Sequence, residues 1–325
     1  MSRYARQLIL PQIGPGGQTA FHAAHLLIVG AGGLGVPALQ YLAGAGIGRI
    51  TLIDPDRAEE SNLHRQPLYA GRVGQPKTDA AASALRALNP DCAVTALTAR
   101  CDPANAPGLV AAADLVLDCA DSFATSYLLS DLCQAAGKPL ISASALGLSG
   151  YVGGFCGPAP SLRAVFPDLP ETLASCDSAG VLGPVVGMLG MIMAQMALAH
   201  LAGITPSPLG QLIRFDLEGW RFSTFRFDAA PEPATAFPFI AKAAIQPGDY
   251  VVELRDAAEA PLPVTPWAHR LSPDQISRSA PAPGQRIVLA CRSGLRAWRA
   301  AARLGPLFPN EIALIADSPL TETEG

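Results

Sequence analysis

The chain predicts an α/β fold: a doubly wound, mostly parallel sheet followed by a second, smaller α/β domain. Three observations carry that expectation. Short apolar runs alternate with helix-like segments from residue 26 onward, the pattern of successive β-α-β units. A glycine-rich turn joins the first strand to the first helix. Acids or hydroxyls also stand directly after successive strands, at the edge where such sheets place their ligands.

The elements follow in order. Residues 1–25 hold Arg3, Arg6 and a loop at Gly14-Pro15-Gly16-Gly17. Leu26–Val29 reads as a buried strand, and Gly30-Ala31-Gly32-Gly33-Leu34-Gly35 then fits the spacing G-x-G-x-x-G. Leu34–Leu42 reads as a helix, with Pro37 tolerated in its first turn. Gly44 and Gly46 stop it, and Ile50–Ile53 form a second strand ending at Asp54, nineteen positions after Gly35. That βαβ unit is Rossmann-like. Its glycines admit phosphate to backbone N–H groups at a helix start, and its distal acid is placed for a ribose. Pro55–Pro76 is polar and aperiodic and carries Asn62, Arg65, Gln66 and Arg72. Lys77–Leu88 reads as a helix closed by Asn89-Pro90. Strands are expected at Val94–Leu97, at Leu115–Leu117 before Asp118-Cys119-Ala120-Asp121, and at Leu140-Ile141 before Ser142. A helix lies between the last two, at Tyr127–Ala136 with Gly137 as its stop.

Residues 151–180 are rich in Gly and Pro and hold Cys156 and Cys176. Val181–Ile204 carries no Lys, Arg, Asp or Glu. Its glycines, Pro184 and Gln195, with no basic flank, favour a helix buried in the core or at a subunit interface over a membrane span. Leu212–Phe227 reads as a hairpin around Glu218-Gly219. The domain expectation is 1–228, a linker at 229–240, and 241–325. In the last part Tyr250–Leu254 and Ile287–Ala290 read as strands and Leu295–Leu304 as a helix.

Composition narrows the function. The 325 residues are half hydrophobic and 15% charged, with net charge −4. That suits a globular chain and lacks the basic excess of a general nucleic-acid binder. Seven scattered cysteines without C-x-x-C argue for a reducing, cytoplasmic setting and against a disulfide framework. MSRYARQLIL lacks the apolar core of a signal peptide. As for the nucleotide, a dinucleotide pyrophosphate is served largely by backbone N–H groups, whereas a triphosphate needs Lys, Arg and a divalent metal. Arg65, Lys77 and Asp121 on one edge favour ATP with Mg²⁺ over NAD.

The motifs together resemble the ThiF/MoeB/HesA family, ubiquitin-activating-enzyme-like adenylyltransferases that act on sulfur-carrier proteins. The matching words are Arg3-Tyr4-Ala5-Arg6-Gln7, Gly30-Ala31-Gly32-Gly33-Leu34-Gly35, Asp54-Pro55-Asp56 and Ser61-Asn62-Leu63-His64-Arg65-Gln66. Gly74-Gln75-Pro76-Lys77, Asp118-Cys119-Ala120-Asp121 and Ala179-Gly180-Val181-Leu182-Gly183-Pro184 continue them in family order. The resemblance implies adenylation of the C-terminal Gly-Gly carboxylate of a ubiquitin-like carrier by ATP·Mg²⁺, in a pathway such as molybdopterin or thiamin biosynthesis. It implies that Gly30, Gly32, Gly33, Gly35, Asp54, Asn62, Arg65, Gln66 and Lys77 bind nucleotide and that Asp121 holds Mg²⁺. It implies a homodimer in which Arg6 reaches the neighbouring subunit's γ-phosphate. Cys176 is a candidate acceptor of the activated carrier or its sulfur, with a small buried residue as the plainer reading. Relatives usually hold zinc with two C-x-x-C pairs. The first is Ser161-Leu162-Arg163-Ala164-Val165-Phe166 here and the second has no counterpart between residues 228 and 250, so zinc is expected to be absent. Ser122 and Ser126 stand where relatives have Asn and Arg, and Tyr151 where they have Gln.

Residues 240–320 resemble a rhodanese through Cys291-Arg292-Ser293-Gly294-Leu295-Arg296, placed between a strand and a helix. Helix-start N–H groups and two arginines are expected to lower the Cys291 thiol pKa and support a persulfide. Fusion with an adenylyltransferase implies a sulfur donor such as a cysteine desulfurase. The competing reading is a degenerate scaffold that binds nucleotide or carrier without turnover.

Overall fold

A computed structural model describes residues 3–168, 180–278 and 280–317. The chain packs as two compact units, Met1–Cys101 with Ala106–Pro233, and Asp102–Asn105 with Ala234–Gly325.

In the first unit, β1 (His25–Val29), β2 (Arg49–Ile53), β3 (Ala93–Leu97), β4 (Leu115–Asp118) and β5 (Pro139–Leu146) are joined through helices α3 (Gly35–Ala45), α4 (Lys77–Leu88), α5 (Ala106–Ala112) and α6 (Phe123–Ala136). Strands β6 (Ser149–Cys156), β7 (Gln211–Asp216) and β8 (Arg221–Arg226) complete one eight-stranded sheet, in the order β3-β2-β1-β4-β5-β6-β7-β8. The first five pair in parallel and the last three are antiparallel. The order reverses between β1 and β4, the switch point where such sheets bind ligands. Side chains alternate across β1. Leu26 and Ile28 enter the core that includes α3, α4 and the long helix α8 (Gly183–Leu201), while Leu27 and Val29 enter the core under α5 and α6.

Several local expectations are corrected. Gly14-Pro15-Gly16-Gly17 opens a helix, α2 (Gly14–Ala23), because Pro15 is harmless in a first turn and Gly17 and Phe21 are buried. α1 (Ala5–Leu8) precedes it. Residues 151–156, given no element from the sequence, belong to strand β6. Gly153 and Gly154 fit there because a Cβ would strike the Phe155 ring at 2.7 Å and the Pro208 carbonyl at 2.5 Å. Helix α5 escapes the sequence reading because Pro107 and Gly108 obscure its period. A single turn, α7 (Leu162–Val165), follows β6.

α8 takes the place of the expected apolar helix and is the described helix long and apolar enough to cross a membrane. Its buried residues Val185, Leu189, Met193, Ala194 and Ala197 belong to the first unit's core. Glycine makes its approach to α3 close: a Cβ at Gly190 would stand 2.2 Å from the Leu34 carbonyl oxygen, and one at Gly33 2.7 Å from Val186.

The second unit holds a four-stranded parallel sheet, β9 (Tyr250–Glu253), β10 (His269–Arg270), β11 (Ile287–Cys291) and β12 (Ile312–Ala316), in the order β10-β9-β11-β12. Helix α9 (Leu295–Leu304) packs on it through Ala297, Trp298 and Ala301. β10 and β12 were not anticipated, the first being two residues long.

The two glycines of α8 are predicted to behave oppositely. Gly190→Ala meets backbone, and such overpacking costs roughly 1–3 kcal/mol, or about 2–4 °C of melting temperature per kcal/mol at this size. Gly187→Ala meets nothing within 4 Å and should leave stability unchanged or raise it by up to about 1 kcal/mol through helix propensity. Calorimetric melting of the two variants checks this, and equal shifts would contradict the packing argument.

Candidate functional site

The turn after β1 is shaped for glycine and for little else. Gly30 has φ +100°, and a Cβ there would lie 2.5 Å from the Cys119 carbonyl beyond β4. A Cβ at Gly35 would lie 2.1 Å from the Gly30 carbonyl. Gly32 differs, since its open side meets only Gln66 Nε2, at 3.7 Å. That glycine keeps a path to the backbone open instead of relieving an internal clash. α3 begins without a side-chain cap, but the Val36 N–H goes to the Gly32 carbonyl and Pro37 has none, so an anion would be met by the N–H groups of the turn itself.

Asp54 pins this turn. Its Oδ2 accepts the Ala31 N–H at 2.7 Å and its Oδ1 the Asp56 N–H at 2.8 Å, while the Tyr69 hydroxyl donates to the Ala31 carbonyl at 2.7 Å. The carboxyl is 6% exposed. Burial raises its pKa, and Lys77 and the two N–H groups oppose that. Each carboxylate oxygen retains acceptor capacity for a ligand hydroxyl.

Lys77 opens α4 almost completely buried, and its Nζ lies 2.8 Å from Asp56 Oδ2. Asp56, placed by the motif but given no role from sequence, is therefore the counter-ion that holds the lysine at the site. Asn62 is buried in a short 3-10 turn, Glu60–Asn62. Arg65 is half-buried and donates to His64 Nε2 at 3.0 Å. Gln66 is 2% exposed, and its Oε1 has no hydrogen-bond partner among the described residues. An orphaned buried acceptor beside an open glycine fits a ligand that brings a donor, such as a nucleoside hydroxyl or amine.

Beyond β4, Asp121 is exposed and makes no hydrogen bond or ion pair among the described residues. Asp118 is fully buried. It accepts Ser142 Oγ at 2.7 Å and the Ala120 N–H at 3.2 Å, and burial pushes its carboxyl up to about 6. Its part in shaping the strand end was missed. The buried Leu-Val-Leu run before it was the available signal, since a carboxylate closing such a strand must find hydrogen-bond donors.

Not every expected residue joins this edge. Arg6 is exposed on α1, and α1 is tied by Gln7 to the Ala45 carbonyl, at the far end of α3 from the glycine turn. Cys176 lies outside the described residues. Cys291 belongs to the second unit, where it ends β11 fully buried. Gly294, at φ +87°, turns the loop so that the Ala297 N–H donates to Cys291 Sγ at 3.4 Å. The expected lowering of this thiol pKa is corrected: burial raises it, and the N–H groups of Ala297 and Gly294 with Arg296 offset only part of that. Arg296 is committed to the Leu254 carbonyl and to Glu259. Glu253 is fully buried and held bidentately by Arg255, which also pairs with Asp317. Burial raises the Glu253 carboxyl, but the Arg255 and Val264 hydrogen bonds outweigh it and hold the group below its usual range.

A groove lined by Gln7, Gln40, Tyr41, Leu88, Met191 and Leu198 lies between α1, α3, α4 and α8. Exposed Ile9, Leu10, Tyr41, Leu88 and Met191 make the surrounding surface apolar.

Comparison with known proteins agrees with this geometry. The ThiF family model matches residues 4–236. The chain is 46% identical over 210 residues to a Yarrowia lipolytica protein named adenylyltransferase and sulfurtransferase UBA4, covering 62% of this chain and 52% of that one. It is 47% identical over 218 residues to the Bos taurus adenylyltransferase and sulfurtransferase MOCS3, covering 66% and 48%. The chain thus spans about half the length of the curated relatives it matches. Among solved structures, E. coli MccB with ATP aligns at TM-score 0.63 and 22% identity, covering 72% of this chain and 73% of that chain. PaaA aligns at 0.60 and 24%, covering 69% and 72%. These two likenesses establish the fold of the eight-stranded unit. With the family model spanning that unit's site edge, from the glycine turn to Asp121, the chain belongs to the ThiF family.

Proposed function

We propose that the chain uses ATP to adenylate the C-terminal Gly-Gly carboxylate of a ubiquitin-like sulfur-carrier protein, and couples that activation to sulfur transfer. One observation carries the reading: an open glycine turn, a buried lysine and an unpaired carboxylate, Asp121, lie at the strand ends of one switch point. The names of the curated relatives support it. A carboxylate oxygen of the carrier attacks the α-phosphorus, the bond to the β-phosphate oxygen breaks, and pyrophosphate leaves. The attacking group belongs to the carrier, so the protein needs no nucleophile for this step, and catalysis is positioning and charge neutralisation. The glycine-turn N–H groups, Asn62, Arg65 and Lys77 face the phosphates, and Asp54 holds the ribose. Asp121 is the residue that would hold Mg²⁺, which when bound supplies further countercharge to the triphosphate. A cytoplasmic setting and a sulfur donor such as a cysteine desulfurase complete the proposal. A non-catalytic scaffold is the second reading, favoured by the Lys77–Asp56 pair, which must loosen for Lys77 to serve phosphate.

A homodimer belongs to the same proposal. Arg6 sits at the wrong end of α3 to serve its own glycine turn, yet it is exposed and unpaired among the described residues, beside the apolar groove. In the proposed dimer a second copy covers that groove and Arg6 acts at the neighbouring subunit's site.

Three outcomes test these statements. In carrier-dependent ATP–pyrophosphate exchange, Asp121→Ala should lose at least about a hundredfold, since metal-assisted charge neutralisation contributes several kcal/mol and each ~1.4 kcal/mol is tenfold. Cys291→Ala should retain full exchange, and a parent chain that shows no carrier-dependent exchange would favour the scaffold. Mixing Arg6→Ala with Asp121→Ala subunits should recover up to one working site per heterodimer, and heterodimers without recovery would refute action across the interface. Persulfide formation on Cys291 should climb with pH through and above the ordinary thiol range, because the raised thiol pKa keeps the thiolate scarce at neutrality. A plateau already reached at pH 6, read by intact-protein mass spectrometry, would contradict the burial.

A further inference from the structure

Zinc does not fit this chain where its relatives carry it. Of the six residues 161–166 that replace the first C-x-x-C pair, Ala164 offers no donor, and Arg163 places a cation 4% exposed in the same turn. A zinc site needs four convergent Cys, His or carboxylate donors. Among the described residues no three His, Cys, Asp or Glu side chains converge on a point.

We infer that a metal-free clasp between Ser161 and Glu232 does the cross-linking that zinc does in relatives. The Ser161 N–H donates to Glu232 Oε1 at 2.7 Å and the Ser161 hydroxyl to Oε2 at 2.5 Å, so one carboxylate takes both donors across 71 positions of sequence. Ser161 is 3% exposed, and its oxygen also accepts the Ala164 N–H as the cap of α7. Arg163, which would repel a divalent ion, is held by Asp131 at 2.6 and 2.8 Å and lies over the Tyr127 ring at 4.8 Å. The Leu162 N–H goes to Ser130 Oγ at 3.0 Å. This corner therefore satisfies its own polar groups without a metal. Glu232 lies one residue before the boundary of the first unit at Pro233, so the clasp fixes the point at which the chain leaves that unit. Charge-assisted hydrogen bonds from an N–H and a hydroxyl to one carboxylate are the strong kind, and closing so long a loop is what a metal clip is also suited to do.

The test uses the full chain and no catalytic readout, so it stands apart from the adenylation proposal. Elemental analysis is expected to find far less than one zinc per chain, and EDTA should leave the melting temperature unmoved. Glu232→Ala should lower that temperature by roughly 3–6 °C and raise hydrogen exchange at the amides of Ser161 and residues 229–233. Glu232→Gln, which keeps the shape and drops the charge, should fall between. Ser161→Ala with Glu232→Ala should cost less than the sum of the two single changes. Because Glu232 is exposed, these variants should fold. Stoichiometric zinc with a chelator-sensitive melt overturns the inference, and so does a Glu232→Ala chain whose melt and exchange match the parent's.

Discussion

The carboxylate of Asp54 is the interaction on which the first unit's site depends. By taking the Ala31 and Asp56 N–H groups together it joins the turn after β1 to the segment after β2. Asp56 then takes the Lys77 N–H on its carbonyl and the Lys77 ammonium on its side chain, which sets the start of α4. Glycine turn, Asp54, Asp56 and Lys77 are thus one hydrogen-bonded chain. The low dielectric that raises the Asp54 carboxyl also strengthens each of these bonds.

Close packing supports that chain from behind. α3 must stand with its N-terminus at the turn, and its position is set by α8, whose Gly190 admits the Leu34 backbone and whose Val186 fills the space over Gly33. The uncharged character of α8 follows from this place in the core. Val185, Leu189, Met193 and Ala197 face it, and the small residues between them let two helices approach to backbone contact.

The two units solve different electrostatic problems. The first gathers a lysine, an arginine and the exposed carboxylate of Asp121 around the ends of its central strands. The second buries a thiol under backbone donors and keeps its charged residues, Glu253, Arg255, Asp317, Glu259 and Arg296, paired with one another. A buried thiol surrounded by N–H groups resists ionising but offers a shielded place for a sulfur anion once one is formed.

The sequence by itself determined the βαβ unit around Gly30 and Asp54, the doubly wound class and the long apolar helix. All of these rest on local spacing: apolar runs, glycine turns and acids at strand ends are written within twenty or thirty residues of each other. Tertiary structure decided what depends on distant partners. β6 is strand because Gly153 and Gly154 fit against Phe155 and Pro208, which no periodicity announces. Lys77 is paired with Asp56, and Arg6 lies at the far end of α3, because the chain between them folds back. Ser161 meets Glu232 only across α7, α8, β7 and β8. The Cys291 motif was legible, but its raised pKa was not: loop spacing counts the donors around a thiol, whereas burial depends on everything packed over it.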